Sequence, residues 1–175
     1  MTEPRWLNKD EAAAWMSLLA IIELLPSAID AQLKRDFGMT RFEYNVLSML
    51  SMSPNDTAPM SSLAFLTNGS LSRLSHAVSK LETRGWVRRT PSETDRRSLL
   101  ATLTPEGRAL VEAAAPHHVE EARRSFFDAI PPERVREFAE ILEPIAQRLI
   151  KPEDACAPAP APQLPPPATT TPAQP

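Results

Sequence analysis

Apolar residues recur at three- and four-residue steps over most of the first 150 positions, the spacing of helices with a covered face. The first helix is expected over residues 8–37. Asn8 with Glu11 three places on makes a capping-box start, and Gly38 follows Phe37 as a C-cap. Trp15, Met16, Leu18, Leu19, Ile21, Ile22, Leu24 and Leu25 cover more than one face of this helix. A helix that is apolar most of the way round must be buried on several sides. In a domain this small, a partner subunit is the expected second cover. Pro26 predicts a kink or the start of a second helix.

A second helix is expected over residues 40–50, opened by Thr40 and Glu43, with Phe42, Val46, Leu47 and Leu50 as its stripe. Residues 53–59 read as a loop by composition, with Met60 leading into a short strand. A short helix over 61–66 capped by Ser61 comes next, then a turn at Thr67-Asn68-Gly69 with the glycine at the positive-φ position. Ser70 caps a helix over 71–84 whose stripe is Leu71, Leu74, Val78 and Leu81, and Gly85 stops it. Residues 86–89 and 99–103 shorten to strand-like runs around a tip over 90–98. Thr104 and Pro105 open a helix running to about residue 129, with Pro116 as an expected kink. After Pro131-Pro132, a last helix over 133–150 carries Val135, Phe138, Leu142, Ile145 and Leu149, with Pro144 bending it.

This order predicts a mainly α fold with a small β-wing: a winged helix-turn-helix domain joined to N- and C-terminal helices. The folded domain spans residues 1–150, with its core at 40–107 and dimerisation helices at 8–37 and 105–150. Nine of the nineteen prolines follow Lys151, so 151–175 read as a disordered Pro/Ala/Thr-rich tail. The most apolar run, residues 12–25, is too short for a bilayer span, contains Glu23 and ends at Pro26. It also lacks the basic leader of a secretory signal. Cys156 is the single cysteine, which excludes an internal disulfide framework and points to a reducing compartment. A cytoplasmic protein without membrane contact is therefore expected.

Charge changes the picture. The net charge of −3 argues against nucleic acid, but residues 67–108 hold eight basic and four acidic side chains, +4 locally and −7 elsewhere. A basic block in an acidic chain suits phosphate binding at one face. Helical geometry gathers Ser72, His76, Ser79, Lys80 and Thr83 opposite the stripe of the 71–84 helix, with Arg73 on the flank and no carboxylate among them. A helix that merely faced water would mix charges; hydroxyls, an imidazole and cations suit a major groove. Ser70, Ser72, Arg73 and Arg84 are candidate phosphate contacts, and Ser72, Arg73, His76 and Lys80 candidate readers of base edges. At the hairpin tip, one arginine of Asp95-Arg96-Arg97 would enter the minor groove while Asp95 orients an arginine. The bland reading of that triplet is a solvated charged turn.

The stretch LAFLTNGSLSRLSHAVSKLETRGWVRR…DRR…LATLTPEG, from Leu63 to Gly107, resembles the winged-helix core of the MarR family of bacterial transcriptional regulators. The flanking helices fit as well, so the resemblance spans nearly all of the first 150 residues. It implies a homodimer held by the N- and C-terminal helices, binding a pseudo-palindromic double-stranded DNA operator as a repressor. It also implies that Arg97 probes the minor groove and Asp95 braces the wing, with Arg96 able to exchange roles with Arg97.

Many members of that family are released from DNA by small lipophilic or phenolic effectors, or by oxidation. An effector pocket would lie between the dimer helices and the DNA-binding unit, with Trp15, Met16, Leu19 and Phe37 as possible lining or simply core. Oxidation-sensing members carry a cysteine near the first helix; none stands there in this chain. His118 with Glu121, or His117 with Glu120 or Glu121, has usable spacing for a metal, but two residues fall short of the usual ligand count, and no metal or cofactor is implied. Three histidines, one tail cysteine and four glycines offer no nucleophile–base constellation or phosphate loop, so an enzyme is not expected. The competing reading is a winged-helix protein–protein interaction module without DNA binding.

Overall fold

The computed structural model describes residues 3–92 and 98–149. Asp95, Arg96, Arg97, Cys156 and the tail lie outside the described residues. Among the described residues, six α-helices and three strands follow in the order α1 (Lys9–Phe37), α2 (Arg41–Ser51), β1 (Thr57–Pro59), α3 (Met60–Leu66), α4 (Leu71–Thr83), β2 (Val87–Pro91), β3 (Leu99–Leu103), α5 (Pro105–Ser125) and α6 (Val135–Leu149). Short 3₁₀ turns precede β1 and link α5 to α6. The fold is the mainly helical, small-sheet architecture expected from the spacing.

Local chemistry starts most of these helices where the sequence marks them. Asn8 and Glu11 close a reciprocal capping box on α1, and Thr40 and Glu43 do so on α2. Thr104 caps α5, with Pro105 at the first position, where the missing N–H costs nothing. At α3 the expectation fails: the helix begins at Met60, and Pro59 rather than Ser61 is its N-cap, with no side-chain bond. One continuous α1 passes through Pro26, so no second helix begins there, and α5 likewise runs through Pro116. α5 ends at Ser125 rather than near residue 129, because the chain tightens into a 3₁₀ turn at Phe127–Ala129.

The expected loop at 53–59 instead holds a 3₁₀ turn and β1, which pairs antiparallel with β3 and makes the sheet order β1-β3-β2. Three residues are too short a run for alternation to register, and pairing with β3 supplies what propensity lacks. The Thr57 and Thr102 hydroxyls meet across that pair at 2.9 Å. Arg108 on α5 ties the same corner down, through an ion pair with Asp56 and a bond to the Ser51 carbonyl.

The core gathers Leu33, Met39, Val46, Leu47, Leu50, Leu63, Leu74, Val78 and Leu81, all fully buried, beneath Ala101 and Leu103 of β3. Only the C-terminal part of α1 joins it, through Ile29, Leu33 and Phe37. There Asp30 accepts from the Arg41 backbone N–H at 2.8 Å and pairs with Lys34 at 2.5 Å. These two contacts, Lys34 first, hold its carboxyl below the ordinary carboxylate range. The N-terminal part of α1 leaves its apolar residues uncovered, as does α6 from Ile141 onward, whereas Val135 and Phe138 at the start of α6 are half-buried. By length and composition alone α1 could cross a membrane. Charged residues at both its ends and Glu23 midway fit a helix covered by protein as well.

Candidate nucleic-acid interface

α3, a tight turn and α4 form the helix-turn-helix. The Thr67 hydroxyl donates to the Leu63 carbonyl at 2.8 Å, and the Gly69 N–H to the Ala64 carbonyl at 2.9 Å, folding the chain back at once. The positive φ in this turn belongs to Asn68, at 49°, and not to Gly69. Glycine is required at 69 for space: a Cβ there would lie 2.8 Å from the Phe42 ring of α2. The sequence shows that a glycine is needed but not which of its two properties is used.

Ser70 caps α4, accepting from the Arg73 N–H at 3.2 Å. Leu74, Val78 and Leu81 are fully buried with Ala77 beside them, as the stripe requires. Leu71 is a correction: at 57% exposed it stands outside the stripe, because the first helical position projects past the edge of the core. The opposite face presents Ser72, Arg73, His76 and Lys80 to solvent together. The first turns of α1, α2 and α5 carry an acidic residue, whereas that of α4 carries none. Its exposed N–H groups and positive dipole end are therefore left uncompensated, a favourable setting for a phosphate.

The one carboxylate of the C-terminal half of α4 is turned away and occupied. Glu82 accepts from the Arg89 N–H at 2.8 Å and from its Nε at 2.6 Å, and Arg89 also reaches the Ser79 hydroxyl at 3.1 Å. Burial works to raise the Glu82 carboxyl, but these bonds from Arg89 outweigh it and hold the group below its usual range. Ser79 is thereby half-buried at the wing root rather than free on the outer face. This clamp went unread in the sequence, since a seven-residue separation across a helix end and a glycine turn has no periodic signature.

Arg84, expected at a phosphate, is engaged elsewhere. Its Nη1 donates to the Gly38 carbonyl at 2.8 Å, and its guanidinium lies over the Trp86 ring, 4.9 Å from the centroid. It joins the C-terminal end of α4 to the end of α1 while the residue stays exposed. Arg73, by contrast, lies over the Phe42 ring at 4.1 Å. Its guanidinium makes no hydrogen bond or ion pair among the described residues.

Two cavities flank this unit. One, of 540 Å³, is an open cleft beside α4 lined by Asp30, Arg41, Phe42, Arg73, His76 and Lys80, among others. The other, of 920 Å³, lies between α2, α5 and the chain leading into α6, with Tyr44, Met49, His118, Arg123 and Phe127 in its wall. None of the expected lining residues Trp15, Met16, Leu19 and Phe37 borders either one. The first three sit on the uncovered part of α1, and Phe37 packs on the core and edge-on to His117, ring centroids 5.3 Å apart. His118 lies against Tyr44 at 4.6 Å, and burial, then the nearby Arg41 charge, lowers its pKa. Among the described residues no group of three metal-ligating side chains converges.

The family model that matches the chain, over residues 37–98, is that of the MarR family. The regulator PecS of Dickeya dadantii (strain 3937) is 32% identical over 127 residues, covering 68% of this chain and 75% of the relative. The chain belongs to the MarR family of transcriptional regulators. Among solved structures, Sco3205 of Streptomyces coelicolor, a MarR family transcriptional regulator in complex with DNA, is similar with a TM-score of 0.80 and 39% identity, over 87% of this chain and 96% of that one. AbsC, a MarR family regulator of the same organism, gives a TM-score of 0.77 at 41% identity, over 83% and 98%. The family model covers α2, the helix-turn-helix and β2, and the likeness to Sco3205 extends over most of the chain, so the winged-helix fold and the function as a transcriptional regulator stand on both sequence and structure.

Proposed function

We propose that this MarR-family protein is a cytoplasmic repressor that binds a pseudo-palindromic DNA site as a homodimer and lets go when a small molecule enters. The outer face of α4 carries this reading: exposed serine, arginine, histidine and lysine, no carboxylate, and a helix start without an acid. Ser70 and Ser72, with the α4 N-terminus, would hold phosphates, while Arg73, His76 and Lys80 face the base edges. Arg97 would reach the minor groove, with Asp95 bracing the wing and Arg96 as the exchangeable neighbour, as the family resemblance implies. Sco3205, solved on DNA, supports the comparison.

Dimerisation supplies the geometry. Two recognition helices must enter major grooves about one helical turn apart. The uncovered apolar residues of α1 and α6 support a partner seated there. The larger cavity, partly apolar and with Arg41 and Arg123 in its wall, suits a small lipophilic or phenolic effector.

The test is selection of bound sites from random DNA, followed by binding measured across salt concentrations. The expected result is a two-fold-related site whose log affinity falls linearly with log salt. Replacing Arg97 by alanine should weaken that complex by about 1–3 kcal/mol. No enrichment, or affinity indifferent to salt, would leave a winged-helix module for protein contact as the better reading.

A further inference from the structure

The contact between Arg73 and Phe42 assigns separate tasks to two residues. Arg73 stands at the third position of α4, where the helix dipole disfavours a cation and a long side chain has many rotamers. It is nevertheless held in one place. Its guanidinium carbon lies 4.1 Å from the centroid of the Phe42 ring, while the residue as a whole stays exposed. An arginine against an aromatic face is attracted by the ring and keeps its planar fork of N–H donors available at the edge. Here that fork is unoccupied by any hydrogen bond among the described residues.

Phe42 is itself fixed. It sits at the second position of α2, half-buried and packed against the core, and the Gly69 backbone of the turn closes on its ring tip, within 2.8 Å of where a Cβ would be. One ring therefore touches both the turn that aims α4 and the arginine at the start of α4. A phosphate contact needs charge and tolerates a mobile side chain. A two-bond contact to a guanine edge needs the fork in one orientation.

We propose that Arg73 reads a guanine edge in the major groove and that Phe42 is its positioning residue, the rigid platform that sets the fork's direction. The proposal rests on the reading of the protein as an α4-directed DNA binder, and it deepens that reading by separating a specificity contact from the phosphate contacts around it.

The test compares the full chain with Arg73→Lys, Phe42→Leu and Phe42→Met on the selected site and its single-base variants, at several salt concentrations. Arg73→Lys keeps the charge but not the fork; Phe42→Leu removes the platform but leaves Arg73. Both should lose about tenfold in discrimination at one and the same base pair, with the salt slope unchanged. Phe42→Met, which fills the same space without a ring face and adds nothing at the tip against Gly69, should lose discrimination at that base pair as Phe42→Leu does. Weakening by Phe42→Leu that is equal on all sequences, or loss at a different base pair, overturns the platform assignment. Full discrimination by Arg73→Lys overturns the guanine assignment, and that variant decides the point even if Phe42→Leu melts early. Absence of selective binding by the wild type removes the underlying reading as well, a result distinct from either.

Discussion

Gly107 shows how little freedom single positions have around the wing. It is the third residue of α5, and its N–H donates to the Thr104 hydroxyl at 3.0 Å. A Cβ at this position would lie 2.1 Å from the Trp86 carbonyl oxygen, which is itself pinned by the Thr104 N–H at 3.0 Å. Backbone on both sides cannot give way cheaply. Gly107→Ala is therefore expected to cost about 3 kcal/mol, the upper end of overpacking, in chemical denaturation. His118 makes a prediction of a different kind. Its folded pKa is below the ordinary value of 6.5, first because of burial and then because of Arg41. At a pH between the two values the unfolded chain binds a proton that the folded chain refuses, so acid favours unfolding. Between about pH 8 and about pH 5 the wild type should lose melting temperature more steeply than His118→Phe. Parallel slopes would show that this imidazole is not what senses the acid. Neither property was legible in the chain, because the Trp86 carbonyl against Gly107 and the Tyr44 ring against His118 come from positions distant in sequence.

At the scale of elements, the wing is joined to α4 by side chains as well as by the short link between them. The Glu82–Arg89 pair is about three-quarters buried, with side chains 28% and 25% exposed, and the Glu82 carboxylate also accepts the Arg89 N–H. It therefore avoids most of the screening that makes surface pairs weak. Arg89→Ala should cost about 1.5–3 kcal/mol, the range for hydrogen bonds to charged groups. Amide exchange at the start of β2 should quicken while that of α2 stays slow. If β2 keeps its protection, the clamp does not hold the wing. Elements were the most legible level of this molecule. The capping pairs at Asn8 and Thr40, the Ser70 cap and the Leu74-Val78-Leu81 stripe each combine local chemistry with the helical period, and the structure has all of them. What escaped was non-local: β1 exists through its pairing with β3, Arg84 reaches back 46 residues to Gly38, and Arg108 reaches 52 residues to Asp56. Such contacts leave no periodic trace, and the basic residues that make them read in sequence as candidates for DNA.

The whole molecule is incomplete as a single copy. α1 has 29 residues, roughly 43 Å of helix at 1.5 Å per residue, yet only its last turns meet the core. Upstream, Met16 and Leu24 are 64% and 69% exposed, and on α6 Ile145 and Leu149 are 48% and 79% exposed. An uncovered apolar face of this extent marks an interaction surface in a soluble protein. If a second copy covers it, stability and DNA affinity share one cause. Leu24→Glu would place a charge where two helices must close and leave the winged-helix core, to which Leu24 does not contribute, intact. The variant is expected to run as a folded monomer in sedimentation, with the α4 amides still protected. Its affinity for a full two-fold site should fall to that for a half-site, because the effective concentration that links the two grips is gone. Removing residues 152–175 should change neither the number of subunits per assembly nor the affinity, since that Pro/Ala/Thr-rich composition cannot supply an apolar seam. A Leu24→Glu protein that stays dimeric would move the seam to α6. One that unfolds would show that the core depends on the pairing, and its melting temperature in the wild type should then rise with protein concentration.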